Sequence, residues 1–145
     1  MIDMLMRSFN RGDGEYLEYI DNLSYDYGNE IDWFIENTKN CRVADVVGAD
    51  GPVGYYVMQT HSKKSLEIVR FAIAPAYRRQ GIGTLMIDDI LSEGWRYNRV
   101  ITQINERNLV GQQFLKANYF KCIRILKESE EPYYLFVKDI GVPQP

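Results

Sequence analysis

The chain has 145 residues, 46% of them hydrophobic and 26% charged, the balance of one soluble globular domain with one core and no room for a second. A formal net charge of -3 argues against a protein whose main business is coating nucleic acid or an anionic membrane, although a local basic patch can still hold a phosphate. The apolar stretches are broken by Arg, Asp or Pro well short of the ~20 residues a membrane-spanning helix needs. Met1 to Arg7 carries Asp3 within its apolar part and has no basic start, so no secretory signal is read and a cytoplasmic protein is the expectation.

Met4 to Phe9 is a short apolar run that reads as a first strand. Asp13 then reads as the cap of a helix with Tyr16, Leu17, Ile20 and Leu23 inward. A shorter helix is predicted from about Asn29 to Asn37, with Ile31, Phe34 and Ile35 inward, after a loop from Ser24 to Gly28. Cys41 to Ala49 and Val53 to Gln59 are strand-like runs on either side of Asp50-Gly51-Pro52, a hairpin signal. Leu66 to Ile73 follows as a third antiparallel strand, stopped by Ala74-Pro75. From Gly81 to Glu93, Ile82, Leu85, Met86, Ile90 and Leu91 share one helical face, and Gly94 ends the helix. Val100 to Ile104 is the next strand. A strand, helix, strand succession of this length predicts that it lies parallel to the strand before the helix. Asn108 to Ala117 reads as a last helix with Val110, Phe114 and Ala117 inward, followed by strands at Phe120 to Leu126 and Tyr133 to Lys138. The expected order is βααβββαβαββ over residues 1–140, with 141–145 as a frayed tail.

Cys41 and Cys122 lie far apart with no second Cys or His at ligand spacing, so both read as buried free thiols and no metal site is expected. His61 is the only histidine and sits in a polar turn. Histidine-dependent triads and poly-histidine metal chemistry are thereby set aside unless His61 itself serves.

The most informative segment is Phe71-Ala-Ile-Ala-Pro-Ala-Tyr-Arg-Arg-Gln-Gly-Ile-Gly-Thr84, where a strand ends, a basic glycine-containing turn follows and a helix begins at once. A helix N-terminus offers unpaired N–H groups and a partial positive charge to a phosphate or pyrophosphate. Arg78 and Arg79 add full charges, and Gly81 and Gly83 admit the anion close to the backbone. A Walker loop would need a Lys after its last Gly, and a dinucleotide fingerprint would need a third Gly where Met86 stands.

Together with the element order, Arg78-Arg79-Gln80-Gly81-Ile82-Gly83 and its lead-in Ile73-Ala74-Pro75-Ala76-Tyr77-Arg78 resemble the Q/R-x-x-G-x-G/A motif of the GNAT superfamily of acetyl-coenzyme A dependent N-acetyltransferases. The resemblance covers nearly the whole chain and weakens before residue 40. It implies an α/β (α+β) fold with a mixed, mostly antiparallel central sheet and helices on both faces. It implies acetyl-CoA as cosubstrate, with the backbone of Gln80, Gly81, Ile82, Gly83 and Thr84 on the pyrophosphate and the strand Phe71, Ala72, Ile73 paired with the pantetheine arm. Gln103-Ile-Asn-Glu-Arg-Asn108 and Phe114-Leu-Lys-Ala-Asn-Tyr-Phe120 are similar to the E-V-R-x-x-N and L-Y-x-x-x-G-F patterns of ribosomal-protein-alanine (protein N-terminal) acetyltransferases. Asn108 keeps the Asn that would touch the coenzyme, and is otherwise an N-cap. Gln103 stands where those enzymes carry a general-base Glu, Leu115 where they carry the Tyr that protonates the thiolate, and Tyr119 where they carry Gly.

A substitute base is sought in Glu67, which on a strand shares a face with Val69, Phe71 and Ile73, where partial burial would strengthen it as a base; the other reading is a solvated carboxylate or a partner of Arg70 or Lys64. Tyr119, Tyr133 and Tyr134 are candidates for the acid, with core or rim packing the alternative for each. Asp26, Glu30, Asp32, Glu128, Glu130 and Glu131 would draw a cationic amine, unless they simply form a solvated acidic face. The expected acceptor is the α-amine of a protein or peptide. The alternatives are a polyamine or aminoglycoside, or an acyl-coenzyme A binding module without catalysis. A monomer or homodimer is expected.

Overall fold

The computed structural model describes residues 3–25, 28–37, 40–93, 96–127 and 132–140. Its elements are β1 (Met4–Ser8), α1 (Gly14–Ser24), α2 (Ile31–Glu36), β2 (Cys41–Val46), β3 (Gly54–Ser62), β4 (Ser65–Ile73), α3 (Ile82–Glu93), β5 (Arg99–Asn105), α4 (Leu109–Ala117), β6 (Lys121–Leu126) and β7 (Tyr133–Asp139). Their succession is the one the sequence predicts. The strands form a seven-stranded sheet in the order β1-β2-β3-β4-β5-β7-β6. The β4–β5 pair is parallel, and the β1–β2, β2–β3, β5–β7 and β6–β7 pairs are antiparallel. The fold is therefore mixed α/β with a mostly antiparallel sheet. The chain divides into two compact units, Met1–Met58 with Arg70–Asp89 and Gln59–Val69 with Ile90–Pro145.

In the first unit, Leu17, Ile20, Phe34, Val43, Tyr55 and Val57 form the centre of the core, with the Phe34 and Tyr55 rings edge to face at 5.2 Å. Cys41 lies in this core, and burial pushes its thiol up to about 12. Gly54 opens β3 because the carbonyl of Ala72 and the sulfur of Met86 would each lie 3.1 Å from an added Cβ. The absent side chain lets α3 settle on the sheet. Asp89 of α3 then ties to β2 and β3, accepting from Arg42 Nε at 2.9 Å and from the Tyr56 hydroxyl at 2.5 Å.

Several local expectations are corrected. The side chain of Asp13 does not cap α1. It closes a capping box with Asn10 over the turn Arg11–Asp13 and pairs with Arg7 at 2.8 Å, because the chain makes a 3-10 turn before the helix proper. The buried stripe of α1 is Gly14, Leu17, Ile20 and Asp21, which leaves Tyr16 and Leu23 exposed. β2 ends at Val46 rather than Ala49, since Gly48 turns the chain at φ 91°. β3 runs on through His61 to Ser62, so the histidine belongs to a strand end rather than a turn. In α3 Ile87 is buried and Leu85 exposed. Gly94 and the 141–145 tail lie outside the described residues.

In the second unit, β5 is central, paired in parallel with β4 from Ser65↔Arg99 to Ile68↔Thr102 and antiparallel with β7 from Arg99↔Asp139 to Asn105↔Tyr133. Ile68, Val100 and Phe136 are buried. α4 buries Gln112 and Leu115 and turns Val110 out to 78% exposure, the reverse of the expected face. The Gln112 amide explains the rotation: it donates to the Glu106 carbonyl at 2.8 Å and the Asn105 carbonyl at 3.3 Å, so a satisfied polar side chain takes the inward position. Cys122 is exposed, not buried, because β6 lies at the edge of the sheet.

Candidate active site

The arginine- and glycine-containing loop expected to hold the coenzyme belongs to the first unit. After β4 the chain makes a single 3-10 turn, Pro75–Tyr77, in which proline supplies a fixed φ. Arg79 follows with φ 61° and Gly81 with φ 83°, so two left-handed residues bracket Gln80 and turn the backbone abruptly into α3. Alternation of this kind gathers successive N–H groups toward one side, the geometry of an anion nest. α3 begins at Ile82, and Leu85 N–H returning to Gly81 C=O at 3.2 Å closes its first turn. The amides before it have no acceptor within the helix and carry the positive end of its dipole. Gly81 has open space around its missing Cβ, so its role is conformational; Gly83 is buried in the first turn of the helix. Arg78, Arg79, Gln80 and Thr84 are exposed around this turn, and Ile82 is buried beneath it.

β4 supplies a second feature. Ala74 N–H donates to Val53 C=O at 2.7 Å, so even-numbered residues here point their polar groups toward β3, and those of Phe71 and Ile73 point to the opposite edge. Ala72 is buried, with Phe71 and Ile73 half-buried. At that edge Ile73 C=O accepts from Arg78 Nε at 2.9 Å, and Arg78 Nη2 also reaches Ser24 Oγ at 3.2 Å.

Behind the edge lies a buried polar cluster with no counterpart in the sequence reading. Asp21 is fully buried and accepts from the Tyr55 hydroxyl, from Asn29 N–H at 2.6 Å and from Arg70 Nη2 at 3.5 Å. The Arg70 guanidinium also stacks 3.8 Å from the centre of the Tyr25 ring. Burial, reinforced by the Asp21 charge, drives the Tyr55 phenol far above the ordinary range; burial raises Tyr25 as well, against hydrogen bonds from Phe71 and the charge of Arg70.

The second unit holds the other predicted residues. Glu67 lies on β4 with its side chain 15% exposed; Oε1 accepts from Gln59 Nε2 at 2.9 Å and faces His61 Nδ1 at 4.0 Å. Its neighbours at this site are thus Gln59 and His61 rather than Lys64 or Arg70. Its register partner is Ile101, which places Glu67, Ile101 and Gln103 on one face of the parallel pair, with Gln103 exposed. Tyr134, half-buried, pairs with Ile104 and lies on the opposite face of this ladder; Tyr133 pairs with Asn105 on the Glu67 face. Asn108 is the N-cap of α4, its Oδ1 accepting from Gly111 N–H at 2.9 Å. Leu115 is buried at 6% exposure. Tyr119 is 80% exposed, its ring 5.4 Å from the Lys138 ammonium, which itself donates to Asn118 C=O at 2.8 Å. Lys138 is four residues along β7 from Tyr134, about 13 Å of strand, so Tyr119 and Tyr134 do not share one spot on β7.

Glu30 is the N-cap of α2 and Asp32 lies in its first turn, while Asp26, Glu128, Glu130 and Glu131 lie outside the described residues. Among the described residues no group of three or more His, Cys, Asp or Glu could hold a metal ion, and no helix is long and apolar enough to cross a membrane.

The chain thus runs βααβββαβαββ, with a left-handed turn of Arg and Gly leading from β4 into the N-terminus of α3. The model of the acetyltransferase (GNAT) domain matches residues 37–122, and the chain belongs to that family of N-acetyltransferases, whose cosubstrate is acetyl-coenzyme A. Its fold is similar to that of Ard1 from Thermoplasma volcanium, with a TM-score of 0.87 and 20% identity over 96% of this chain and 99% of that one. Arabidopsis thaliana NAA60 in complex with a bisubstrate analogue gives a TM-score of 0.82 and 17% identity over 94% and 98%. The ribosomal-protein-S18-alanine N-acetyltransferase of Escherichia coli gives 0.80 and 13% over 98% and 97%. No curated protein sequence matches the chain.

Proposed function

We propose that this N-acetyltransferase moves the acetyl group of acetyl-coenzyme A to the α-amine of a protein or peptide. The observation that carries the coenzyme half of the reading is the left-handed turn at Arg79 and Gly81 directly ahead of α3, whose first amides have no acceptor within the helix and would suit the coenzyme pyrophosphate. Arg78 and Arg79 would add charge there, Phe71 to Ile73 would pair with the pantetheine arm, and Asn108 would add a contact beyond its capping role. The acceptor reading is supported by Gln103, which offers no carboxylate on β5, and by the N-terminal acetyltransferases among the structures of similar fold.

Transfer requires a neutral amine. Its nitrogen lone pair adds to the thioester carbonyl, the carbon–sulfur bond breaks, and the departing thiolate takes up a proton while the amine loses one. Glu67 is the proposed base: Gln59 holds one carboxylate oxygen and leaves the other for the amine proton. Tyr134 and Tyr119 are the candidate proton donors to the thiolate, since Leu115 has no proton to give; Tyr134 lies on the ladder face opposite Glu67, so it could serve only from the other side of the thioester, and Tyr119 is the exposed alternative.

Burial of Leu115 and exposure of Gln103 also favour a second reading, an acyl-coenzyme A binding module without catalysis. Titration with acetyl-coenzyme A by calorimetry, followed by thiol release with a panel of peptide amines, polyamines and aminoglycosides, tests both. Binding with thiol release from free-N-terminus peptides is the expected result. Binding with no release from any amine would leave only the module, and release confined to polyamines or aminoglycosides would replace the acceptor.

A further inference from the structure

The edge of β4 that faces away from β3 is already engaged at the place where a ligand amide would pair. The Tyr25 hydroxyl donates to Phe71 C=O at 3.0 Å and accepts from Phe71 N–H at 3.1 Å. One hydroxyl therefore does for Phe71 what a neighbouring strand's amide would do, using both its donor and its acceptor. Two residues on, the Arg78 guanidinium occupies Ile73 C=O along the same edge. The ring of Tyr25 is fixed by the Arg70 guanidinium stacked on it, and Arg70 is anchored by the buried Asp21 and by the Asn29 side-chain amide, whose oxygen accepts from Nε and Nη2 at 2.9 Å in the orientation that satisfies both groups.

We propose that Tyr25 is a placeholder for the coenzyme's pantetheine amide on β4, displaced from Phe71 when the coenzyme binds. The inference rests on the coenzyme site proposed above and adds to it a residue from the end of α1. A strand N–H forms one good hydrogen bond and a backbone pair left without partners at a half-buried edge costs stability, so the hydroxyl protects the edge before the coenzyme arrives and competes with it afterwards. Displacement moves Tyr25 away from β4, so coenzyme binding is coupled to the C-terminal end of α1.

The test compares the unaltered protein with Tyr25→Phe, which keeps the ring under Arg70 and removes only the hydroxyl. Calorimetric affinity for coenzyme A is expected to rise about tenfold in the variant, the ratio one net hydrogen bond is worth. Affinity for the nucleotide half of the coenzyme, which keeps the phosphates and lacks the pantetheine amides, is expected to stay the same. Unchanged or weaker coenzyme A binding in Tyr25→Phe overturns the placeholder while leaving the coenzyme site intact, and an equal gain for the nucleotide half overturns it too. If the unaltered protein binds neither ligand, the coenzyme-site reading itself fails and takes the placeholder with it. A direct readout needs no variant: the nuclear Overhauser contact between the Tyr25 ring and the Phe71 amide proton is expected to vanish on saturation with coenzyme A, and its persistence overturns the proposal.

Discussion

Phe120 N–H donates to Leu115 C=O at 2.9 Å, and this bond, with Tyr119 N–H donating to Lys116 C=O at 3.0 Å, forms a Schellman closure of α4. The closure requires a left-handed residue between the helix and β6, and Tyr119 supplies it at φ 69°. Glycine takes that conformation at no steric cost, whereas a side chain with a Cβ pays about 1 kcal/mol. The Gly of the related motif is thus explained by the cap, and so is the strain where Tyr replaces it.

Tyr119→Gly is expected to stabilise the protein by about 1 kcal/mol, a rise of about 3 °C in Tm, because the 80% exposed ring gives up little packing. Thermal unfolding followed by circular dichroism reads this directly. A lower Tm would mean that the Lys138 contact outweighs the backbone strain.

Gly83 is buried in the first turn of α3, so Gly83→Glu introduces a carboxylate where the coenzyme pyrophosphate is proposed to lie. A negative charge in a first turn suits the helix dipole, but a carboxylate at a buried position costs more than that gain, so circular dichroism first establishes that the variant is folded. Coenzyme A affinity measured by calorimetry is expected to fall about tenfold or more through charge repulsion. Wild-type affinity in a folded variant would remove the loop from the site.

Glu67→Gln keeps the shape of a side chain that already accepts from Gln59 and removes its capacity to take a proton. Turnover at pH 7 is expected to drop about a hundredfold, with partial recovery at high pH, where more of the amine is neutral without help. A pH profile parallel to that of the unaltered enzyme would make Glu67 a structural carboxylate.

Asp13 gives a pH effect of a different kind. Burial works to raise its pKa, but the Arg7 guanidinium and the Asn10 N–H outweigh it and hold the carboxyl below its ordinary value. With a folded pKa below the unfolded one, the contribution is present above pH ~4 and is lost as pH falls through the folded value. Asp13→Asn is therefore expected to be less stable at neutral pH and to lose less on acidification. Parallel Tm curves for the two proteins between pH ~5 and ~2 would show that this carboxyl carries none of the acid sensitivity.

Element order, the parallel β4–β5 pair and the turn into α3 are legible because each depends on local signals: β-branched runs, Pro75 after β4, and arginine and glycine ahead of a helix. The helix faces were legible only where the inward residues are all apolar. α1 and α4 were rotated in the sequence reading for one reason: each buries a polar residue, Asp21 beneath Tyr55 and Arg70, and Gln112 beneath two carbonyls. Those partners lie far along the chain or on backbone groups, where a count of apolar spacing cannot register them. The role of Tyr25 is illegible on the same grounds, since its partner Phe71 is 46 residues away. A charged residue inside an apolar strand, as Arg70 is between Val69 and Phe71, was the one available signal that a buried counter-charge exists.

The proposed acceptor preference rests on proton arithmetic and on Gln103. An α-amine with pKa ~7.8 is about one-seventh neutral at pH 7, whereas a lysine ε-amine near 10.4 is neutral about once in 2,500 molecules. Deprotonation therefore costs about 1 kcal/mol for the first and about 4.6 kcal/mol for the second, and a site with Gln rather than Glu at 103 recovers less of that cost. Peptides with a free N-terminus are expected to react up to a few hundredfold faster than the same peptides blocked there and offering an internal Lys. Gln103→Glu should narrow the ratio by raising the lysine rate more than the α-amine rate, because the exposed position on the Glu67 face lets a second carboxylate take a proton. Thiol release measured on matched peptides gives both numbers. If the blocked, lysine-bearing peptides are the better substrates of the unaltered enzyme, the α-amine reading fails and a lysine or polyamine acceptor takes its place.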